Sequence, residues 1–495
     1  MNPKGITQGK IGAVSSGHAL ATRAALDILT DGGSAVDAAI CAQAVICVVM
    51  PQAAGLGGDM LMLIRTPESN TFAINGVGRS SLEWAPPNQG SGATVTVPGI
   101  VSGWSVAEGA FGKLPLQRIF APAIAIARSG FNAEASLIRA RDSQRARLLA
   151  NGASDWPLIN LGLGDEWKQP ELAALLEYLV RSGLQSFYKD PVASTICRAV
   201  QKLYGGLSTE DFASQNVLLE NATSTSWGLS TLYVQPPSTQ GVLLAMVAKW
   251  LDHNTDLFYP QGKMNAELDT LLAHLEIEVT EGAFQSRDAV ISEGDSLLKK
   301  TIDVNLTAPS HRAGPRSYLH TAGVAVTDAD GLTVSSLVSV FDDFGSAIYV
   351  PELGISLNNR ADGFTTGANA YAPNAFPVHT LAPAILVHAS GQSLALATPG
   401  ADGQVQTLIQ ILSAMRFRGR DLFEAISAPR WRAEDGKVLI ERTHPKYNAL
   451  LNMGYKLEEQ PLGSEIFGAV VATGTNMQGP YASADFRRQV TAGAR

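Results

Sequence analysis

Apolar residues at Val324 and Val326, turn residues at Asp328, Asp330 and Gly331, and a second β-rich run over 332–340 predict a β-hairpin deep in the chain. One side chain near its start stands out, the hydroxyl of Thr321. Taken alone it reads as a strand threonine favoured for β-propensity. Residues 15–49 read as two helices. Leu20, Ala24 and Ile28 share a face at a spacing of four, Asp31-Gly32-Gly33-Ser34 stops the first helix, and Ser34 caps the second over 35–49. That second helix is apolar almost all round, which implies burial on every side. Gly55-Leu56-Gly57-Gly58-Asp59 then leads into an apolar strand over 60–64, where glycines let another backbone or a ligand come close.

A strand is expected at 72–75, and Val97-Pro98-Gly99 and Leu114-Pro115 each open a helix. Residues 136–252 read as mainly helical, with a strand-like island at 229–234 and a helix at 242–251. Periodicity fades over 294–318, which predicts an irregular, exposed connection running into Thr321. Beyond the hairpin come strands at 348–357, 384–387 and 394–397. A helix over 405–415 then follows the turn Thr398-Pro399-Gly400-Ala401, its N-terminal amides directed toward it.

Composition narrows the partners. A net charge of −8 over 495 residues, with no Lys/Arg cluster, argues against nucleic acid or an anionic membrane. The longest apolar run, 35–50, is interrupted by Asp37 and Gln43 and is too short to span a bilayer. Residues 1–11 lack the apolar core of a secretory signal, so a cytoplasmic location is expected. Three cysteines make no disulfide framework, and Cys41 and Cys47 fall in an apolar segment. The eight histidines show no metal-ligand spacing, so neither a metal nor another cofactor is expected.

Taken in order, a series of motifs resembles the γ-glutamyltransferase family of N-terminal-nucleophile hydrolases. It begins with Gly32-Gly33-Ser34-Ala35-Val36-Asp37-Ala38-Ala39, Pro51-Gln52 and Gly55-Leu56-Gly57-Gly58-Asp59. Val97-Pro98-Gly99, Phe111-Gly112-Lys113-Leu114-Pro115, Pro122-Ala123-Ile124 and Gly130-Phe131 continue it. Thr327-Asp328-Ala329-Asp330-Gly331, Phe344-Gly345-Ser346, Asn358-Asn359-Arg360 and Ala428-Pro429-Arg430-Trp431 complete it. The resemblance implies an α+β fold, a four-layer αββα sandwich formed by residues 1–495 as one domain. It also implies a precursor that cuts itself between His320 and Thr321, leaving a large subunit 1–320 and a small subunit 321–495.

The resemblance makes Thr321 the nucleophile, activated by its own freed α-amino group, with Ser339 as a second hydroxyl. Gly400 and Ala401 would form the oxyanion turn. Arg79, Asn359, Arg360, His379 and Thr380 fall at positions that would contact substrate. Arg360 and Gly363 stand where the transferases carry acceptors for a glutamyl ammonium, and Asn359-Arg360 with His379-Thr380 resemble a cytoplasmic branch of the family that includes oxamate amidohydrolase. The expected activity is hydrolysis of a small carboxylate-bearing amide such as oxamate. One alternative is a γ-glutamyl hydrolase or transferase acting on glutathione-like amides; another is an uncut scaffold or ligand binder. The expected partners are a small-molecule substrate and the two subunits of one precursor, which could pair further into a dimer.

Overall fold

The computed structural model describes residues 5–312 and 321–495. Two seven-stranded antiparallel sheets form its centre. Across the first, the strands run Thr491–Ala494, Gly12–Ser16, Ala322–Asp328, Thr333–Ser339, Asp59–Arg65, Thr71–Gly76 and Leu219–Asn221. Across the second they run Ile6–Gln8, Gly479–Ala484, Val471–Asn476, Ser393–Ala397, Ala384–His388, Ser230–Val234 and Thr223–Trp227. Each sheet mixes strands from before and after residue 320, so cutting there would leave both pieces woven into one core.

The side-chain period of two sorts each strand between layers. Val324, Val326, Val334 and Val338 pack against the helices Ala19–Thr30, Ala35–Val49 and Ile100–Phe111. Ala325 and Leu337 point the other way and meet Ile385, Ala395, Ala397 and Val471 of the second sheet. The far face of that sheet packs Leu232, Leu394, Leu396 and Ala472 against helices Gly241–His253, Ala266–Phe284 and Gly403–Phe417. These three apolar interfaces give the helix–sheet–sheet–helix sandwich. Burying one such Val or Leu side chain is worth about 1.5–3 kcal/mol. Gly323 belongs between the sheets, because a Cβ there would stand 2.8 Å from Val471 Cγ2.

The hairpin forms as the pattern predicts, pairing Ala322 with Val338 and Thr327 with Thr333. Its turn is held by Asp328 Oδ1, which accepts from the N–H groups of Asp330 and Leu332. Gly331 supplies the left-handed residue at φ +90°. Asp328 Oδ2 accepts from Ala35 N at 2.9 Å, which pins the turn to the N-terminus of the Ala35–Val49 helix. Ser34 and Asp37 close a capping box on that helix. Asp37 Oδ2 also takes the N–H groups of Lys113 and Leu114, and Lys113 Nζ reaches Asp330 Oδ2 at 2.8 Å. Three of the motifs quoted above therefore meet at one corner, with Asp37 and Asp328 buried in it and the Lys113–Asp330 pair exposed at its rim.

Several expectations need correction. Residues 12–16 are a strand, and the first helix begins at Ala19 under a His18 cap. Residues 348–357 form two short strands, Tyr349–Val350 and Ile355–Ser356, because Pro351 and Gly354 bend the chain between them. The 136–252 stretch includes the strands Leu219–Asn221 and Thr223–Trp227. The three cysteines are buried free thiols. No helix among the described residues is long and apolar enough to cross a membrane.

Candidate active site

Thr321 immediately precedes the Ala322–Asp328 strand, third of the seven in the first sheet, and is 7% exposed. Its Oγ1 donates to Ser339 Oγ at 3.3 Å, and Ser339 Oγ also accepts from Phe341 N at 3.0 Å. The Asp59–Arg65 strand places Asp59 directly beside Ser339. The glycines before it allow this approach. A Cβ at Gly58 would lie 2.4 Å from Ser339 O, and one at Gly57 would lie 2.1 Å from Ser356 O.

Beyond Ser339 lies a buried ionic group. Asp59 Oδ2 accepts from Arg360 Nε at 2.9 Å and from His379 Nε2 at 3.3 Å, and all three side chains are fully buried. The Arg360 guanidinium stacks over the Phe341 ring, 4.3 Å from its centroid. Leu381 N–H donates to His379 Nδ1, which leaves the proton on Nε2 facing Asp59. Burial, and then the neighbouring Arg360 charge, pushes the imidazole down to about 4, so the ring is neutral near pH 7. The Arg360 charge is thus matched by Asp59.

A buried glutamine ties the remaining candidates together. Gln240 Nε2 donates to the carbonyls of Thr380 and Ala401, linking the 379–380 segment to the Gly400–Ala401 turn. Gly400 has φ +128° and Ala401 φ +49°. Ala401 therefore occupies a left-handed position that would suit glycine better. Among the described residues, neither the Gly400 nor the Ala401 N–H donates a hydrogen bond. Pro399, one residue earlier, lines the cavity that Thr321 opens onto.

None of the five expected substrate contacts, Arg79, Asn359, Arg360, His379 and Thr380, lines the Thr321 cavity. The Asn359 side chain is committed to Asp342 and Asp362, so it braces its own loop. Arg79 donates to Asn374 O and stacks over Phe376, in a separate hollow of about 350 Å3 lined by Asn75, Asp211 and Ser238. It does not line the Thr321 cavity. His320, where cleavage is expected, lies outside the described residues.

The sequence matches the family described as Gamma-glutamyltranspeptidase over residues 21–494. The chain belongs to the γ-glutamyltranspeptidase family. It is 31% identical over 454 residues to an oxamate amidohydrolase proenzyme of Klebsiella pneumoniae, covering 84% of this chain and 83% of that one. Against a glutathione hydrolase proenzyme of Escherichia coli it is 28% identical over 474 residues, covering 85% and 81%. The fold resembles a cephalosporin acylase from Bacillus halodurans, with a TM-score of 0.87 at 24% identity, covering 100% of this chain and 98% of that one. Membership makes the chain an enzyme of the hydrolase and transferase class, built on the αββα sandwich of N-terminal-nucleophile hydrolases.

Within the γ-glutamyltranspeptidase frame, two residues of the site were not singled out from the sequence. Asp59 carried a signal: a lone carboxylate between a glycine run and an apolar strand needs a buried partner. Gln240 carried none beyond its place in a polar loop.

Proposed function

We propose that this chain is a precursor that cuts itself before Thr321 and then acts as an N-terminal-threonine amidohydrolase. The observation that carries the reading is the Thr321–Ser339 hydroxyl contact at the head of the Ala322–Asp328 strand, where Thr321 lines a cavity. In the first reaction Thr321 Oγ attacks the His320 carbonyl, the peptide C–N bond breaks, and water opens the resulting ester. Two pieces remain, 1–320 and 321–495. In the second, the freed α-amino group takes the hydroxyl proton as Oγ attacks the substrate amide. The unengaged N–H groups of Gly400 and Ala401 suit a developing oxyanion. The amine then departs with a proton, and water releases the acid.

For the acyl half we infer a small carboxylate-bearing group, oxamate being the leading candidate. Gly363 offers no side-chain acceptor for an α-ammonium. The similarity to an oxamate amidohydrolase proenzyme supports the same class.

One observation favours a second reading, a γ-glutamyl amide. A bare guanidinium ~4 Å from an ammonium costs about 4 kcal/mol at an effective dielectric of ~20. Here Asp59 offsets that charge, and its Oδ1 has no partner among the described residues.

A panel of oxamate, glutaryl-anilide and γ-glutamyl-anilide separates the two. Turnover of oxamate or the glutaryl amide, with γ-glutamyl-anilide at least tenfold slower in kcat/KM, supports the first reading. The reverse order overturns it.

A further inference from the structure

Two glutamines fix a short strand against the helix that follows the Gly400–Ala401 turn. Gln406 Oε1 accepts from Ala433 N at 2.7 Å, and its Nε2 donates to Ala433 O at 3.0 Å. One turn on, Gln410 makes the same pair of bonds with Trp431, both at 3.0 Å. Each side-chain amide pairs with the Trp431–Glu434 strand as a neighbouring strand would, which sets the register of the residue between, Arg432. The Arg432 guanidinium packs on the first turn of the Gly403–Phe417 helix. A Cβ at Gly403 would stand 3.0 Å from Arg432 Cζ and Nη1, and one at Gly400 would stand 4.0 Å from that Nη1.

This placement runs against simple electrostatics. The N-terminal end of a helix carries partial positive charge, so a cation there is disfavoured. Arg432 is 2% exposed, and water screens it little. Its Nη1 donates to Ile466 O at 2.8 Å and its Nε lies 3.3 Å from Glu434 Oε2, while Nη2 has no hydrogen-bond partner among the described residues. A nearby anion gives the cation its reason. Asp402, 1% exposed, stands between the turn and the helix, and its side chain makes no capping bond. Arg287 Nε donates to Asp402 Oδ1 at 3.3 Å, but Arg287 divides its charge with Asp288, 3.4 Å from its Nη1. Burial favours the neutral form of Asp402, and the Arg287 and Arg432 charges oppose it. A carboxylate one residue after Ala401 would by itself repel negative charge gathering at the turn.

We propose that Arg432 is a positioning residue for the oxyanion turn. With Arg287 it offsets the Asp402 charge, so that the Gly400 and Ala401 N–H groups can take up the negative charge that develops on the substrate carbonyl oxygen. The proposal rests on Thr321 as nucleophile and on Gly400–Ala401 as its oxyanion turn, and it holds for either acyl group. An interaction that matters only once the oxyanion forms acts on kcat and leaves KM alone.

The test uses whichever amide of the panel the parent chain turns over fastest. Arg432→Met should lower kcat at least tenfold with KM within about twofold. Arg432→Lys keeps the charge and should stay within about fivefold of the parent. Adding Asp402→Asn to Arg432→Met removes the carboxylate left unopposed and should bring kcat back to within about fivefold. The Lys and double variants carry the test even where Arg432→Met alone folds poorly. An unchanged kcat in Arg432→Met, or a loss confined to KM, would overturn the proposal. So would a loss shared by Arg432→Lys and not relieved by Asp402→Asn, which marks a packing role. A parent chain that hydrolyses no amide overturns the reading of Thr321, and the role of Arg432 falls with it.

Discussion

Replacing Asp59 by Asn tests the ionic group behind Ser339. The substitution keeps the shape and removes the charge opposite Arg360, whose side chain is fully buried. Breaking a buried pair from one side typically costs about 3–5 kcal/mol, because an uncompensated charge stays inside. Unfolding entropy of about 2.1 cal/mol/K per residue gives ~1 kcal/mol/K for 495 residues. The expected fall in Tm is therefore about 3–5 °C. The measurement is best made in a Thr321→Ala background, where the chain stays in one piece under the proposed mechanism. A double variant, Asp59→Asn with Arg360→Met, removes both charges and should recover most of the loss, since an apolar replacement of a buried pair is often neutral. Differential scanning calorimetry on the parent, the two single variants Asp59→Asn and Arg360→Met, and the double variant gives the coupling. A Tm change under 1 °C for Asp59→Asn, or a double variant no better than the single, would refute the reasoning.

His379 predicts a pH dependence of stability. Its folded pKa of about 4 lies below the 6.5 of an exposed imidazole, so between these values the unfolded chain binds the extra proton. Stability should be fully present above pH 6.5 and fall by about 3 kcal/mol as the pH drops to 4; urea titrations should show His379→Gln flattening that slope. Ser339→Ala should slow turnover more than self-cleavage, because the contact to Thr321 orients the mature nucleophile. Time courses on gels beside kcat measurements check this, and equal losses in both would contradict it.

Much of the fold was legible because its central elements obey one period. The hairpin showed in the alternation at Val324 and Val326, and the helix at 35–49 showed in a long apolar stretch, interrupted by Asp37 and Gln43, with Ser34 before it. The strand at 12–16 was misread because Ser15 and Ser16 look like helix caps, whereas Ser15 in fact pairs with Ala325. Nothing local reveals that pairing, which spans 310 residues of sequence. At the candidate site the glycine run was legible as a place of close backbone approach, as Gly57 and Gly58 show. The site was not legible where a long side chain chose between two directions. Arg79 turned to Asn374 and Phe376, and Arg360 turned inward to a carboxylate 301 residues away.

The central claim is the chain break. Intact-mass spectrometry of the purified protein after extended incubation, beside a Thr321→Ala chain, measures it directly. The account predicts two species, residues 321–495 with a free N-terminal threonine and a second ending at His320, and one uncut chain for the variant. An uncut wild-type chain, or a cut elsewhere that persists in Thr321→Ala, would contradict it.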